Sequence, residues 1–265
     1  MDVSELTRKR IEELLKDGKR MDERKPLELR PLSIELGVSK KAEGSARVKF
    51  GDTEVIAGAK LNVIEPFTDT PDNGALMVVA EFWPLASEKF EMGPPDIQAI
   101  ELARIIDRSI RESEFIDLKK LCIKKGELVW AVFLDIYPIN DAGNLIDASA
   151  IAVMAALQSA VFPSIKGDKV QYGEFTTKKV PLKDMPVVLT FYRIGKEFIL
   201  DPTTSEEEAS NSRLTIAMTF GKEPYIHALQ KAGDEPLSEE EILKVLSTAL
   251  KEGKKIFEKI KSQLK

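Results

Sequence analysis

The sequence predicts an α+β fold made of two packed halves, and three patterns lead to that expectation. After an N-terminal helix and arm, stretches with the two-residue alternation of strands run from about residue 33 to the loop before residue 96 and resume after Pro163. Helical periodicity interrupts them at residues 96–111 and 148–161 and closes the chain at 238–264. The resulting order of strands, helix, strand, helix, then strands and helix suits two α+β units sharing an interface. The division that follows is an N-terminal helix and arm over 1–30, a first subdomain over 31–165, and a second over 166–265 ending in the long helix.

Taken in order, residues 3–16 predict an amphipathic helix, with Ser4 as cap and Leu6, Ile11, Leu14 and Leu15 near one face. Asp17-Gly18 ends it. The polar stretch KRMDERKPLELRP reads as an extended arm outside the core. SIELGV and SARVKFG read as strands, and Gly51, Asp52 and Thr53 form a tight turn into the strand EVIAGAKLNV. A loop over 65–74 leads to the apolar strand ALMVVAEFWPL. The helix over 96–111 presents Ile97, Ile100, Ala103 and Ile106. ELVWAVFLDIYPI is a long apolar strand, and the helix after it is apolar nearly all round, which requires burial. KVQYGEFT, VPLKDMPVVLTFYRIG, EFILDP and SRLTIAMTF continue as strands. Ser238 followed by Glu241 forms the capping box of the last helix.

Composition excludes several classes of function. No apolar run approaches the roughly 18 residues that span a bilayer, and the N-terminus lacks the apolar region of a signal peptide. The expectation is a cytoplasmic protein with no membrane partner. Cys122 is the only cysteine, so no intrachain disulfide can form, and its apolar neighbours in KKLCIKK suggest a buried structural thiol. His227 is the only histidine, which rules out a histidine-based triad or a multi-histidine metal site; a partly exposed structural role is expected of it. Net charge is -5, whereas proteins that grip nucleic acid unaided are usually basic. Any RNA contact should therefore be a local basic patch or one shared with a partner. The surface is rich in Lys and Glu and the chain poor in Cys, His, Asn and Gln, a pattern resembling that of hyperthermophile proteins.

Three constellations could carry chemistry. Arg104, Arg108 and Arg111 are spaced i, i+4, i+7 and share one side of their helix. Such a row can fork onto successive phosphates. It can equally be a solvated face, with Asp107 pairing to Arg111 and Arg108 to Glu112. The turn in IYPINDAGNLIDASA joins a buried strand to a buried helix and carries Gly143. Backbone N–H groups at such a turn can hold an anion, but it contains no Lys or Arg, and Asp141 and Asp147 would repel a phosphate. Asp201, Glu206, Glu207 and Glu208 in ILDPTTSEEEAS could bind Mg²⁺ or act as a base, or form a solvated acidic loop.

Several stretches in this order resemble the RNase PH family of phosphorolytic exoribonucleases: KDGKRMDERKPLELRPL, EGSARVKFGDTEVIAGAKL, IELARIIDRSIR, LDIYPINDAGNLIDASAIAVMAAL and ILDPTTSEEEAS. Within the family, NLIDASAIAVMAAL and ILDPTTSEEEA look like the non-catalytic RNase PH-like subunits of the archaeal exosome. The resemblance implies an RNase PH-like fold of two βαβ-containing subdomains with mixed sheets. It also implies six-membered rings with RNA entering a central channel. In active members, phosphate attacks the terminal 3′ phosphodiester and releases a nucleoside diphosphate.

Departures from the active pattern imply a silent subunit with no catalytic residues, no metal and no cofactor. Active members carry a GGTR-type or glycine-serine-rich phosphate turn; here Gly143 remains, but Asn144, Leu145 and Ile146 replace the hydroxyl-bearing and basic positions. Asp201 keeps the first aspartate of the LDL-type step, and Glu207 stands where the catalytic aspartate belongs. A carboxylate misplaced by about an ångström can cost on the order of 100-fold in rate. LMVVAEFWPLASEKF also lacks the arginine that active members use to grip RNA. The arginine helix is kept, and in the family it faces the ring interface near the partner's active site. The resemblance thus implies Arg104, Arg108 and Arg111 as ligands of single-stranded RNA, Arg108 and Arg111 foremost, with an Arg104–Glu101 ion pair as the other role for Arg104. The implied partners are a catalytic RNase PH-like subunit, three of each in the ring, and RNA-binding cap subunits. One other reading is an active phosphate-dependent 3′→5′ exoribonuclease. Another is a small-molecule kinase, which would need a glycine- and serine-rich ATP loop that DAGNLIDAS does not supply.

Overall fold

The computed structural model describes residues 3–167 and 169–264. Its first helix, α1 (Glu5–Lys16), is capped by the Ser4 side chain, which accepts from the Thr7 N–H at 3.2 Å. Gly18, at φ +70, ends it in the left-handed region that glycine tolerates. Ile11 and Leu15 are buried, while Leu6, on the expected apolar face, is 80% exposed.

The first sheet comprises β1 (Leu32–Leu36), β2 (Gly44–Phe50), β3 (Thr53–Ile64), β4 (Ala75–Ala80), β5 (Cys122–Lys124) and β6 (Leu128–Asn140). Their order is β1-β2-β3-β6-β4, with β5 alongside β6. Only the β4–β6 pair is parallel, and the crossover that a parallel pair requires is the helix α2 (Ile97–Glu112). β4 stops at Ala80, short of the expected strand, because a turn closed by the Ala86 N–H on the Trp83 carbonyl follows and contains Pro84. Cys122, at the start of the short β5, is half-buried rather than buried.

α3 (Leu145–Ser159) begins three residues before the expected helix, and every residue from Ile146 to Leu157 is buried. It packs against β2 and β3 on one side and reaches the second sheet through β9 (Pro186–Ile194). Alanines make this approach possible. A Cβ on Gly44 of β2 would lie 2.2 Å from the Ala156 carbonyl oxygen. Between α3 and the second sheet the chain forms a hairpin, β7 (Val161–Lys166) and β8 (Lys169–Lys179). The second sheet is antiparallel, in the order β10 (Glu197–Leu200), β9, β11 (Ser212–Phe220), β12 (Pro224–Gly233). α5 (Glu239–Gln263) packs on β9 and β11 and carries the expected capping box of Ser238 and Glu241. β9 is buried along its whole length. One hydrophobic core runs through both sheets. The mixed first sheet, the antiparallel second sheet, the β4–α2–β6 unit and the shared core make this the α+β architecture of two packed halves that the sequence predicts, although only one of the two sheets is mixed.

Two sequence expectations fail for geometric reasons. Ile97 is 82% and Ile100 49% exposed; Ala103 and Ile106 are buried as expected, joined by Ala99, Leu102, Ile105 and Ile110. A strict three-residue spacing slips by about 60° per step on a 3.6-residue helix, so Ile97 lies roughly opposite Ile106. β12 was not expected at all, because EPYIHALQKAG is an edge strand with little apolar alternation. It holds His227, half-buried, whose Nε2 lies 2.9 Å from Thr219 Oγ1. No helix among the described residues is long and apolar enough to cross a membrane.

Candidate nucleic-acid interface and the acidic turn behind it

Residues 19–31 do not form an arm outside the core: they deliver three arginines to the acidic turn after β10. Arg20 is 3% exposed. Its Nε donates to Glu206 Oε1 at 2.8 Å, a second N–H meets Glu206 Oε2, and others donate to the carbonyls of Leu200 (2.9 Å) and Asp201 (2.8 Å). Asp201, fully buried, accepts from Arg24 Nη1 (2.9 Å), from the Arg30 backbone N–H (2.7 Å) and from Arg30 Nη2 (2.6 Å). Arg30 also donates to the carbonyls of Ala142 (2.9 Å) and Gly143 (3.0 Å). Asp201 has φ +51, a backbone state uncommon outside glycine, held here by that ring of donors. The expected acidic loop is in fact a short helix, α4 (Thr204–Ala209), with Thr203 and Glu206 as its capping box.

The turn that resembles the family's phosphate cradle is filled by the protein itself. Gly143, at φ +90, lies so close to the turn after Asp201 that a Cβ on it would sit 2.5 Å from the Pro202 carbonyl oxygen. Asn144 directs its side-chain N–H to Asp201 Oδ1 at 3.0 Å and its backbone N–H to Glu207 Oε1 at 2.8 Å. The amide that could face an anion therefore serves a carboxylate. Tyr192 Oη donates to the same Glu207 oxygen at 2.8 Å. Glu207, Asp141 and Glu101 border a cavity of about 300 Å³. The one arginine there, Arg213, is engaged by Glu101 at 2.6 Å. This electrostatic setting disfavours phosphate.

Two carboxylates in this region are held far from their ordinary acidity. Burial pushes Asp147 up to about 7, against the lowering effect of the Thr190 hydroxyl and N–H that it accepts from at 2.8 and 3.2 Å. Burial likewise pushes Glu207 up to about 7, opposed by the Asn144 N–H and the Tyr192 hydroxyl. A carboxyl group whose folded pKa exceeds its unfolded value favours the folded state below the unfolded pKa. That stabilisation is lost as pH rises through the folded pKa. The stability contribution of Asp147 should thus decline between about pH 4 and 7 and level off above. In Asp147→Asn, denaturant midpoints measured from pH 4 to 8 should lose this part of the slope. A variant with the wild-type pH profile would show that Asp147 is not the source.

The arginine row occupies the outward side of α2. Arg104, Arg108 and Arg111 line an open groove of about 600 Å³ together with Val78–Ala80 of β4 and Gln230 of β12. Arg111 is held by Asp107, with contacts of 2.8 and 3.1 Å. Among the described residues, Arg104 and Arg108 have neither an ion pair nor a hydrogen bond, and both are exposed. The expected Arg108–Glu112 and Arg104–Glu101 pairs do not form, and Glu101 has turned to Arg213. Sequence spacing located this face correctly on one side of a helix but could not assign its ion pairs. Arg20, Arg24, Arg30, Tyr192 and Thr190 were not read as site residues at all. Their partners lie far away along the chain, and three arginines in a polar segment carry no local signal of burial.

Residues 28–163 match domain 1 and residues 184–252 domain 2 of the 3′ exoribonuclease (RNase PH) family. The chain belongs to the RNase PH family. Among its curated relatives is the exosome complex component Rrp42 of Methanothermobacter thermautotrophicus, 42% identical over 261 residues, covering 97% of this chain and 94% of that one. Another is the Rrp42 of Archaeoglobus fulgidus, 44% identical, covering 93% of each. A solved Archaeoglobus fulgidus exosome with RNA bound to the active site contains a chain similar to this one. It has a TM-score of 0.87 and 41% identity, and the match covers 96% of this chain and 97% of that one. A chain of an archaeal exosome core matches with a TM-score of 0.83 at 38% identity over 97% and 96% of the two chains. The RNase PH fold thus places the filled turn at Gly143 and the open arginine groove in one subunit. Among the described residues, no three His, Cys, Asp or Glu are grouped to hold a metal ion.

Proposed function

We propose that this chain is a catalytically silent ring subunit of an archaeal, exosome-type 3′→5′ RNA-degrading complex, acting in the cytoplasm. It binds single-stranded RNA phosphates through Arg104, Arg108 and Arg111 and completes the active site of a catalytic RNase PH-like partner. The two alternate as three heterodimers in a six-membered ring, and RNA-binding cap subunits sit on that ring. The observation that carries this reading is a contrast within one molecule. The Asn144 N–H and the Gly143 turn are used internally, while Arg104 and Arg108 present unpaired charge to an open groove. The first arrangement leaves nowhere for attacking phosphate, and the second is suited to a polyanion. The relatives named as exosome components, matched over nearly the full length of both chains, support the same assignment.

The test is phosphorolysis with and without the partner. The purified chain, given RNA, phosphate and Mg²⁺, should release nucleoside diphosphate only at background. Mixed with a catalytic RNase PH-like subunit, it should form a species of about six subunits by light scattering, and that species should be active. Diphosphate release that follows this chain alone through purification would overturn the reading in favour of an active exoribonuclease.

A further inference from the structure

The β7–β8 hairpin carries a second, separate positive surface that the arginine groove does not include. Lys166 and Lys169 are paired across its tip, and Lys178 and Lys179 lie at its base. Beside them, Lys60 of β3, which lies over the Tyr172 ring, donates to the Lys41 carbonyl at 2.9 Å, so the chain at Lys41 passes close to the hairpin. Apart from Lys60, which pairs with Glu43 at 3.1 Å, none of these lysines has an ion pair among the described residues. All except Lys60 are exposed. In a chain of net charge -5 this is a local excess of positive charge, with the exposed Glu174 the one carboxylate on β8.

Aromatic rings are interleaved with these lysines. Tyr172 is 60% and Phe175 42% exposed on β8. Lys60 Nζ lies 4.9 Å from the Tyr172 ring centre; Lys178 Nζ lies 5.4 Å from that of Phe162, a buried ring that anchors the lysine and is closed to stacking. The pairing of β8 with β7 shifts between Pro163 and Ser164, so that residues 172–174 bulge out of the ladder and Tyr172 stands clear of it. Lysines alone on such a strand can be explained as a guard against edge-to-edge aggregation. They do not explain two exposed rings, which would defeat that purpose. Cations beside accessible ring faces are the elements with which proteins hold single-stranded nucleic acid without reading its sequence. The charges follow the phosphates, and the rings stack on bases.

We propose that the β7–β8 hairpin, with Tyr172 and Phe175 as stacking rings and Lys166, Lys169, Lys178 and Lys41 as phosphate contacts, is a second binding surface for single-stranded RNA. This inference rests on the RNA-handling role proposed above. It adds a contact outside the groove, one that long RNA reaches while its 3′ end is held elsewhere.

The experiment uses the full chain, alone and in the ring with its catalytic partner. Fluorescence anisotropy is recorded with a labelled 30-nucleotide oligouridylate at several salt concentrations. Three variants are compared: Tyr172→Ala, the triple Lys166→Gln/Lys169→Gln/Lys178→Gln, and Arg104→Glu/Arg108→Glu in the groove. All substituted side chains are exposed, and an unchanged thermal midpoint verifies that each variant is folded. Tyr172→Ala should weaken binding about fivefold or more. The triple variant should flatten the salt dependence by about two units of slope, at roughly 0.7 per lost contact with a single strand. If the hairpin variants bind as wild type while the groove variant is impaired, the inference fails and the proposed function stands. If no variant affects RNA binding, both fail. If the triple variant weakens binding but Tyr172→Ala does not, the lysines act as a general polyanion patch and the stacking surface is overturned. If RNA affinity is unchanged but the hairpin variants release another subunit from the co-purified complex, the face is a protein contact and the inference is likewise overturned.

Discussion

Replacing Arg20 with methionine should destabilise the protein by about 3–5 kcal/mol, the range seen when one partner of a buried ion pair is removed. Arg20 and Glu206 have no exposed side-chain surface, and Arg20 also satisfies the carbonyls of Leu200 and Asp201. The substitution leaves the Glu206 carboxylate enclosed without its partner, and that orphaned charge, more than any lost attraction, sets the size of the effect. For a domain of this length the thermal midpoint should fall by roughly 10 °C. The double variant Arg20→Met/Glu206→Leu separates the causes. By removing both charges, it should recover much of the loss. A single variant that melts within a degree or two of wild type would show that the pair is not the anchor of the arm.

The second large effect is expected in the groove. Arg104→Glu/Arg108→Glu should weaken RNA binding by the assembled ring by roughly 100- to 10,000-fold, since each well-formed charge-assisted contact contributes about 1.5–3 kcal/mol. The introduced carboxylates also repel the strand. Arg111→Glu alone should matter less, because Asp107 already engages that guanidinium through two contacts. This ordering differs from the one the resemblance implies, in which Arg108 and Arg111 come first. The salt dependence should become shallower by about 0.7 per lost phosphate contact. Light scattering should still find a ring, since these side chains project into an open groove. An intact ring with unaltered affinity and salt slope would reduce the row to a solvated helix face.

What could be read from the sequence divides along physical lines. Local patterns were legible. The Ser4 cap, the glycine stop after α1 and the capping box at Ser238 are where the residues put them, and the nearly all-apolar α3 is buried as expected, though it starts three residues early. Such features depend on neighbours within a turn or two. The arginine row was also legible as a row, because helical spacing fixes a face. What escaped notice depends on pairs distant in sequence. The partner of Glu101 is Arg213, and the partner of Thr190 is Asp147. Neither could be inferred from periodicity. The arm over residues 19–31 looked like a surface segment because its arginines are charged, and only the fold shows that Asp201 and Glu206 await them. The resemblance to RNase PH supplied the overall architecture, but not the reason the turn at Gly143 is closed, which is a matter of backbone contact.

The arm also has a consequence for the order of events during synthesis. Arg20 is joined to a carboxylate 186 positions later, and Arg30 to one 171 positions later. A ribosome adding roughly 5–20 residues per second needs about 10–35 seconds to make that stretch. During this interval Arg24 has only its neighbour Asp22 for a partner, and Arg20 and Arg30 lack the carboxylates that receive them in the folded chain. The first sheet can form meanwhile, but α3 must wait with one flank uncovered until β9 emerges, and the arm must wait slightly longer still. The turn at Asp201 thus acts as a latch closed late by a segment made first, before β11 and α5 arrive to finish the core. A chain that stops short of that turn would leave α3 with an uncovered apolar flank and Arg20 and Arg30 without their buried carboxylates.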